Sequence, residues 1–205
     1  MSKRLVALCL AAFACAPAAA QPAQPPAATP AAPAASASHD LSSKLINVPG
    51  TVWTVYGPGQ TNKRLETDGP KGYPEIRVTV AKKGANPWEA GAVSPVAKPI
   101  AAGDTVLVAV YLRAPDARDG ETVALPFVGL TGAAAPYPTI VSAPVAVTNQ
   151  WKQYFASGKA AQAFAAGGAQ ASIHLAGDAH VIDLGPILVY DFGPDMDPAR
   201  LPKNQ

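Results

Sequence analysis

Cysteine is almost missing from this chain, and its two copies, Cys9 and Cys15, both lie close to the N-terminus. The remaining 190 residues therefore have no disulfide framework, thiolate metal site or thiol nucleophile to offer. Histidine is nearly as scarce, with His39, His174 and His180 the only three. No HExxH pair, GxSxG elbow or glycine-rich phosphate loop occurs, which removes the zincin, α/β-hydrolase and P-loop readings. Charge is also sparse: Asp, Glu, Lys and Arg make up 15% of the residues, and the formal net charge is +2. The only long apolar run, Leu5 to Ala14, is too short to span a bilayer, which takes about 20 residues.

That run is instead the middle of an export signal. Met1-Ser2-Lys3-Arg4 supplies the positive start, and Ala18-Ala19-Ala20 before Gln21 is the small-residue pattern at which signal peptidase cuts. Residues 1–20 read as a signal peptide, so the expected location is periplasmic or extracellular. Cys15 follows Ala12-Phe13-Ala14, and Phe13 is a poor fit to a lipidation box, which argues against a lipid anchor. Loss of Lys3 and Arg4 with the signal leaves fourteen basic and fourteen acidic residues. A neutral mature chain offers no electrostatic case for nucleic acid or an anionic membrane, and it suits an uncharged partner.

Residues 21–38, QPAQPPAATPAAPAASAS, hold no large apolar side chain and read as a polyproline-biased linker. From His39 to Pro194 short apolar runs are split by Gly, Pro, Asn and Asp, the pattern of many strands joined by tight turns. Glu75–Val80 alternates strictly, placing Ile76, Val78 and Val80 toward a core. Thr105–Leu112 is apolar on both faces, which marks a central strand or one whose second face lines a covered groove. Further strands are expected near 51–56, 122–128, 139–147, 152–156, 171–175 and 187–191. Lys159–Ala166 contains helix formers between glycines and reads either as a turn or two of helix or as an irregular loop. The sum is an all-β fold, one antiparallel β-sandwich over residues 39–194, with residues 195–205 expected to be a flexible tail.

Catalytic candidates are few. His174, Asp178 and His180 are near enough in sequence to be weighed as metal ligands; the plainer reading is one strand histidine and one turn histidine. Glycoside hydrolysis would need two carboxylates about 5 to 9.5 Å apart. Glu66, Asp68, Glu75, Glu89, Asp104 and Asp183 mostly adjoin glycine or proline or sit at outward strand positions, where turn and surface duty explains them. Aromatics are more suggestive, because the apolar face of a sugar ring stacks on Trp and Tyr. Trp88 and Tyr137 fall in loops, Tyr111 sits on the second face of the apolar strand, and Trp151 next to a strand start reads as core.

Three stretches carry a resemblance. Asn86-Pro87-Trp88 precedes Gly103-Asp104, which leads into the apolar strand ending Arg113-Ala114. Val147 to Tyr154 contains Trp151-Lys152-Gln153-Tyr154. Ser172 to Gly177 is followed by Val181 to Ile187. Together they resemble the exported carbohydrate-binding modules appended to xylanases and cellulases, in the galactose-binding-like superfamily. The likeness covers Asn86 to Pro194 and, more loosely, Trp53 to Lys83. It implies a jelly-roll sandwich that binds a neutral polysaccharide of β-glucan or xylan type without catalysis. Trp88, Tyr111 and Tyr137 are then the stacking candidates, with Arg113 and Gln153 as polar partners. Arg113 has a competing role, pairing with a carboxylate at the core edge. The resemblance further implies a structural calcium ion held partly by a carboxylate on the last strand, where Asp191 stands. Two other readings remain open from the residues: a periplasmic or surface adaptor that binds a protein, and a hydrolase or lyase with an unrecognised site.

Overall fold

The computed structural model describes residues 41–66 and 68–204. The expected signal peptide, the linker, Cys15 and His39 lie outside the described residues. By contacts the chain divides into residues 1–38 and residues 39–205, and only the second unit is described below.

Ten strands form two antiparallel five-stranded sheets. In chain order they are β1 (Thr54–Tyr56), β2 (Gln60–Leu65), β3 (Glu75–Val80), β4 (Gly91–Val96), β5 (Thr105–Arg113), β6 (Val123–Gly132), β7 (Thr139–Val147), β8 (Lys152–Lys159), β9 (Ala169–His174) and β10 (His180–Asp191). One sheet runs β1-β4-β9-β6-β7 and the other β2-β3-β10-β5-β8. Among the described residues the only helical pieces are short 3-10 turns, and no helix is long and apolar enough to cross a membrane.

Period-two alternation builds the core. Val106, Val108, Val110 and Leu112 of β5 meet Ile182, Leu184 and Val189 of β10 on one inner face. Ala169, Ala171 and Ile173 of β9, with Val128 and Leu130 of β6, supply the other. Burying each larger aliphatic chain is worth about 1.5–3 kcal/mol, so the sandwich holds itself together without cross-links.

The second face of β5 is covered, as one of its two sequence readings required: Leu107 and Ala109 are buried there, and Tyr111 is half-buried. The C-terminal residues run beside this face and are not loose. Thr105 Oγ1 donates to Met196 O, Lys159 Nζ to Pro194 O, and Lys203 Nζ to Ser157 Oγ. Asn204 brackets the backbone of Phe155 with two bonds of 2.8 Å. The expectation of a frayed tail is corrected here. Its polar, proline-containing composition reflects hydrogen bonding to a sheet edge rather than freedom in solvent.

Candidate functional site

The sheet β1-β4-β9-β6-β7 carries a cleft of about 610 Å³ on its outer face, within the range of small-molecule sites. Its floor follows from strand register. On β9 the core residues Ala169, Ala171 and Ile173 alternate with outward Gln170, Ser172 and His174. His174 pairs with Gly91, and Gly91 with Tyr56; Ser172 lies between Val93 and Gly129; Gln170 pairs with Thr131, and Thr131 with Thr139. Gly91 is required by close approach: a Cβ there would stand 2.6 Å from the Tyr56 hydroxyl oxygen, so the bare backbone lets the Tyr56 ring lie over β4.

Aromatic rings form the walls. His174 stacks on Phe127 with ring centres 4.3 Å apart and planes 17° apart, and Trp88 meets His174 edge-on at 6.2 Å. Trp88 stands on the turn Pro87–Glu89, which Glu89 fixes by accepting from Ala85 N and Asn86 Nδ2. From the far end, the β6–β7 loop brings in Tyr137 with φ +54°. A left-handed tyrosine is uncommon and is held here by surrounding bonds, Tyr137 N to Ala134 O and Gly132 N to Pro138 O. Trp88 and Tyr137 are 57% and 56% exposed, so both present ring faces to solvent.

The cleft carries no formal charge, since none of its described lining residues is Asp, Glu, Lys or Arg. Burial pushes the Tyr56 hydroxyl above its usual range, partly offset by a hydrogen bond with Ser172, and lowers His174 below its usual range. The arrangement offers flat apolar surface flanked by hydroxyl, amide and imidazole groups. That suits a polar, uncharged ligand with an apolar face.

The structure divides the sequence candidates between two faces. Trp88 and Tyr137 are in the cleft. Tyr111, Arg113 and Gln153 are on the other sheet: Tyr111 pairs with Gln153 across β5 and β8, and Arg113 closes an ion cluster. Those three therefore share no surface with Trp88 and Tyr137. Arg113 donates to Asp183 from Nε at 2.9 Å and Nη2 at 2.7 Å, while Arg77 grips the same carboxylate at 2.7 and 2.9 Å. The Arg113 guanidinium lies 4.9 Å over the Trp151 ring, and Trp151 donates from Nε1 to Asp68 O. Trp151 is thus half-buried on an outer face rather than in the core. Glu75 and Asp183 are fully buried, a correction to the surface duty read from sequence. Opposed arginines on neighbouring strands make that burial tolerable.

Gln170, Ser172, Tyr56, Phe127 and His174 line the cleft without having been singled out for it from the sequence, although the alternation Ala-Gln-Ala-Ser-Ile-His already gave β9 a polar outer face. His174 and His180 do not converge on a metal. His180 begins β10 and its ring nitrogens are buried, and no group of three or more His, Cys, Asp or Glu side chains is placed to hold a metal ion among the described residues. At Asp191 the donor chemistry is hard oxygen: Asp191 accepts from Gly193 N, and Asp104, near enough for its charge to act on Asp191, accepts from Ala101 N. Burial first, then the Asp104 charge, raises Asp191. Two crowded acidic groups suit a hard cation; further ligands would have to be carbonyls or water.

No protein-family model matches this chain, and no curated protein matches it. Solved structures do. The second N-terminal cellulose-binding domain of Cellulomonas fimi β-1,4-glucanase C is 18% identical, with a TM-score of 0.53 over 73% of this chain and 95% of that one. The CBM22-1 and GH10 modules of Clostridium thermocellum endo-1,4-β-D-xylanase 10B, complexed with xylohexaose, are 15% identical, with a TM-score of 0.52. An arabinose-bound α-L-arabinofuranosidase is 13% identical, also at 0.52. This chain is covered to 75% and 74% in those two matches but spans only 28% and 26% of the two enzymes. The fold of this chain is therefore the β-sandwich found in carbohydrate-binding modules of this kind.

Proposed function

We propose that this chain is a non-catalytic carbohydrate-binding module that is exported and takes a neutral polysaccharide of β-glucan or xylan type in the cleft of the β1-β4-β9-β6-β7 sheet. One observation carries the reading: a charge-free cleft walled by Trp88, Tyr137, Phe127 and His174 and floored by Gln170, Ser172 and Tyr56. Rings stack on the apolar faces of sugar units, and the floor groups hydrogen-bond their hydroxyls. Fold neighbours that include a cellulose-binding domain and a xylohexaose complex support it. Among the described residues no carboxylate lines the cleft to act as acid or nucleophile, which favours binding over hydrolysis.

Affinity electrophoresis of residues 21–205 in gels containing xylan, mixed-linkage β-glucan, mannan or pectin tests the proposal. Retardation by a neutral glycan is expected. Trp88→Ala and Tyr137→Ala, at exposed positions that leave the core intact, should each weaken it by about 1–2 kcal/mol, five- to thirty-fold in Kd. No retardation in any gel overturns the reading and turns the search to a protein partner.

Asp191, with Asp104, is the proposed place for a structural calcium ion. Added CaCl2 should raise the melting temperature of the wild type and leave Asp191→Asn unmoved. Equal melting with calcium and with chelator would mean that these two carboxyls hold no ion.

A further inference from the structure

None of the cleft's described lining residues carries a fixed charge, but one of its walls can acquire one. His174 is half-buried at the end of β9, flat against Phe127 and edge-on to Trp88. The side chains placed against it are neutral: Phe127 from β6 stacks on it, Trp88 meets it edge-on, and Tyr56 from β1 lies one strand further on across Gly91, its register partner on β4. The nearest acid on the Trp88 turn, Glu89, is turned away to Ala85 and Asn86, and Asp178 acts on His180. We infer that the protonation of His174 decides whether this cleft accepts a glycan bearing a carboxylate. With a neutral ring the cleft prefers uncharged sugars; with an imidazolium it admits chains that carry uronic acid.

The inference rests on the glycan reading above and adds to it the charge class of the ligand. A carboxylate entering the cleft beside a neutral imidazole is stripped of water and meets no cation, which is unfavourable. Beside an imidazolium it gains a charge-assisted hydrogen bond, and the face of Phe127, stacked on the ring, tolerates the cation. Burial already favours the neutral ring in the free protein. A neutral sugar covering the ring deepens that burial and is opposed by protonation. Coupling is reciprocal, so the two ligand classes must respond to acid with opposite signs.

Calorimetry between pH 4.5 and 8 reads this out directly, with xylohexaose and cellohexaose as neutral probes and a glucuronic-acid-branched xylo-oligosaccharide as the acidic one. A sugar carboxyl stays ionised over most of that range, with a pKa of about 3.5. Affinity for the acidic probe should rise about tenfold from pH 7.5 to 5, while that for the neutral probe that binds falls about fivefold. His174→Gln should flatten both profiles. Should that variant fail to fold, NMR titration of the His174 ring in the wild type decides the matter instead: its pKa must rise with the acidic probe and fall with the neutral one. Binding with level or parallel profiles overturns the inference alone. Absence of binding by all three probes at every pH overturns the glycan reading and the inference with it.

Discussion

Glu75 has no exposed surface, and the two arginines near it are committed elsewhere. Arg77 and Arg113 hold Asp183 at 2.7 Å but reach Glu75 only at 3.6 and 3.4 Å. Burial, followed by the negative charge on Asp183, pushes the Glu75 carboxyl up to about 7. The folded chain then keeps a proton that the unfolded chain loses near 4.5. The stability this group contributes is full below pH 4.5 and is lost as pH climbs through about 7. His174 and His180, lowered by burial, work in the opposite direction and remove stability as pH falls below 6.5. Glu75→Gln keeps the shape, ends the titration and leaves both histidines in place. Its stability relative to wild type should therefore improve steadily from pH 4.5 to 7.5 in urea unfolding. A constant difference would mean that Glu75 is ionised throughout. The sequence offered only that Arg113 pairs with a carboxylate at the core edge, as it does with Asp183; the burial of Glu75 was not legible, since Glu75 heads an alternating strand. Only register across three strands shows that Arg77 and Arg113 meet on Asp183.

Strands with apolar alternation or continuous apolar runs were legible: β3, β5 and β7, the first half of β6, and parts of β1, β8, β9 and β10 fall where the pattern put them. The unexpected strands share a physical reason. β2 reads QTNKRL because it is an edge strand, exposed at four of its six positions, where charge and polarity discourage pairing with another chain. β4 contains Pro95, which is acceptable because β1 pairs with β4 only as far as Val93, leaving no partner to require a Pro95 donor on that side. Residues 159–166, with their helix formers, take the loop alternative, and Phe164 bridges to Ile100. β8 is the other edge of its sheet, and there Asn204 does what a neighbouring strand would, donating to Phe155 O and accepting from Phe155 N. Asn204→Ala should cost about 1 kcal/mol, at the lower end for two exposed bonds. Amide exchange at Phe155 should accelerate while Val108 and Val110, buried in β5, stay protected. Unchanged exchange at Phe155 would show that the C-terminal residues do not guard this edge.

At the scale of the molecule the two outer faces have diverged. One sheet is sealed by the Glu75–Arg77–Arg113–Asp183 cluster and by residues 192–204; the other keeps an open, uncharged cleft. Loop aromatics signalled that cleft in the sequence, whereas the choice of sheet did not, because β5 and β9 each carry side chains worth facing outward. Among the described residues every buried hydrophobic residue of the core falls between Ile46 and Val189, and no cysteine lies beyond Cys15. The sandwich should fold without residues 21–38 and without regard to redox conditions. A chain begun at His39 is expected to melt within about 1 °C of one begun at Gln21, with or without reductant, since a loss of even 1 kcal/mol would move a domain of this size by about 2–4 °C. Calorimetry of the two chains decides it. A lower melting temperature for the shorter one would mean that residues 21–38 pack against the sandwich, and their alanines and prolines would then belong to the folded domain rather than to a spacer.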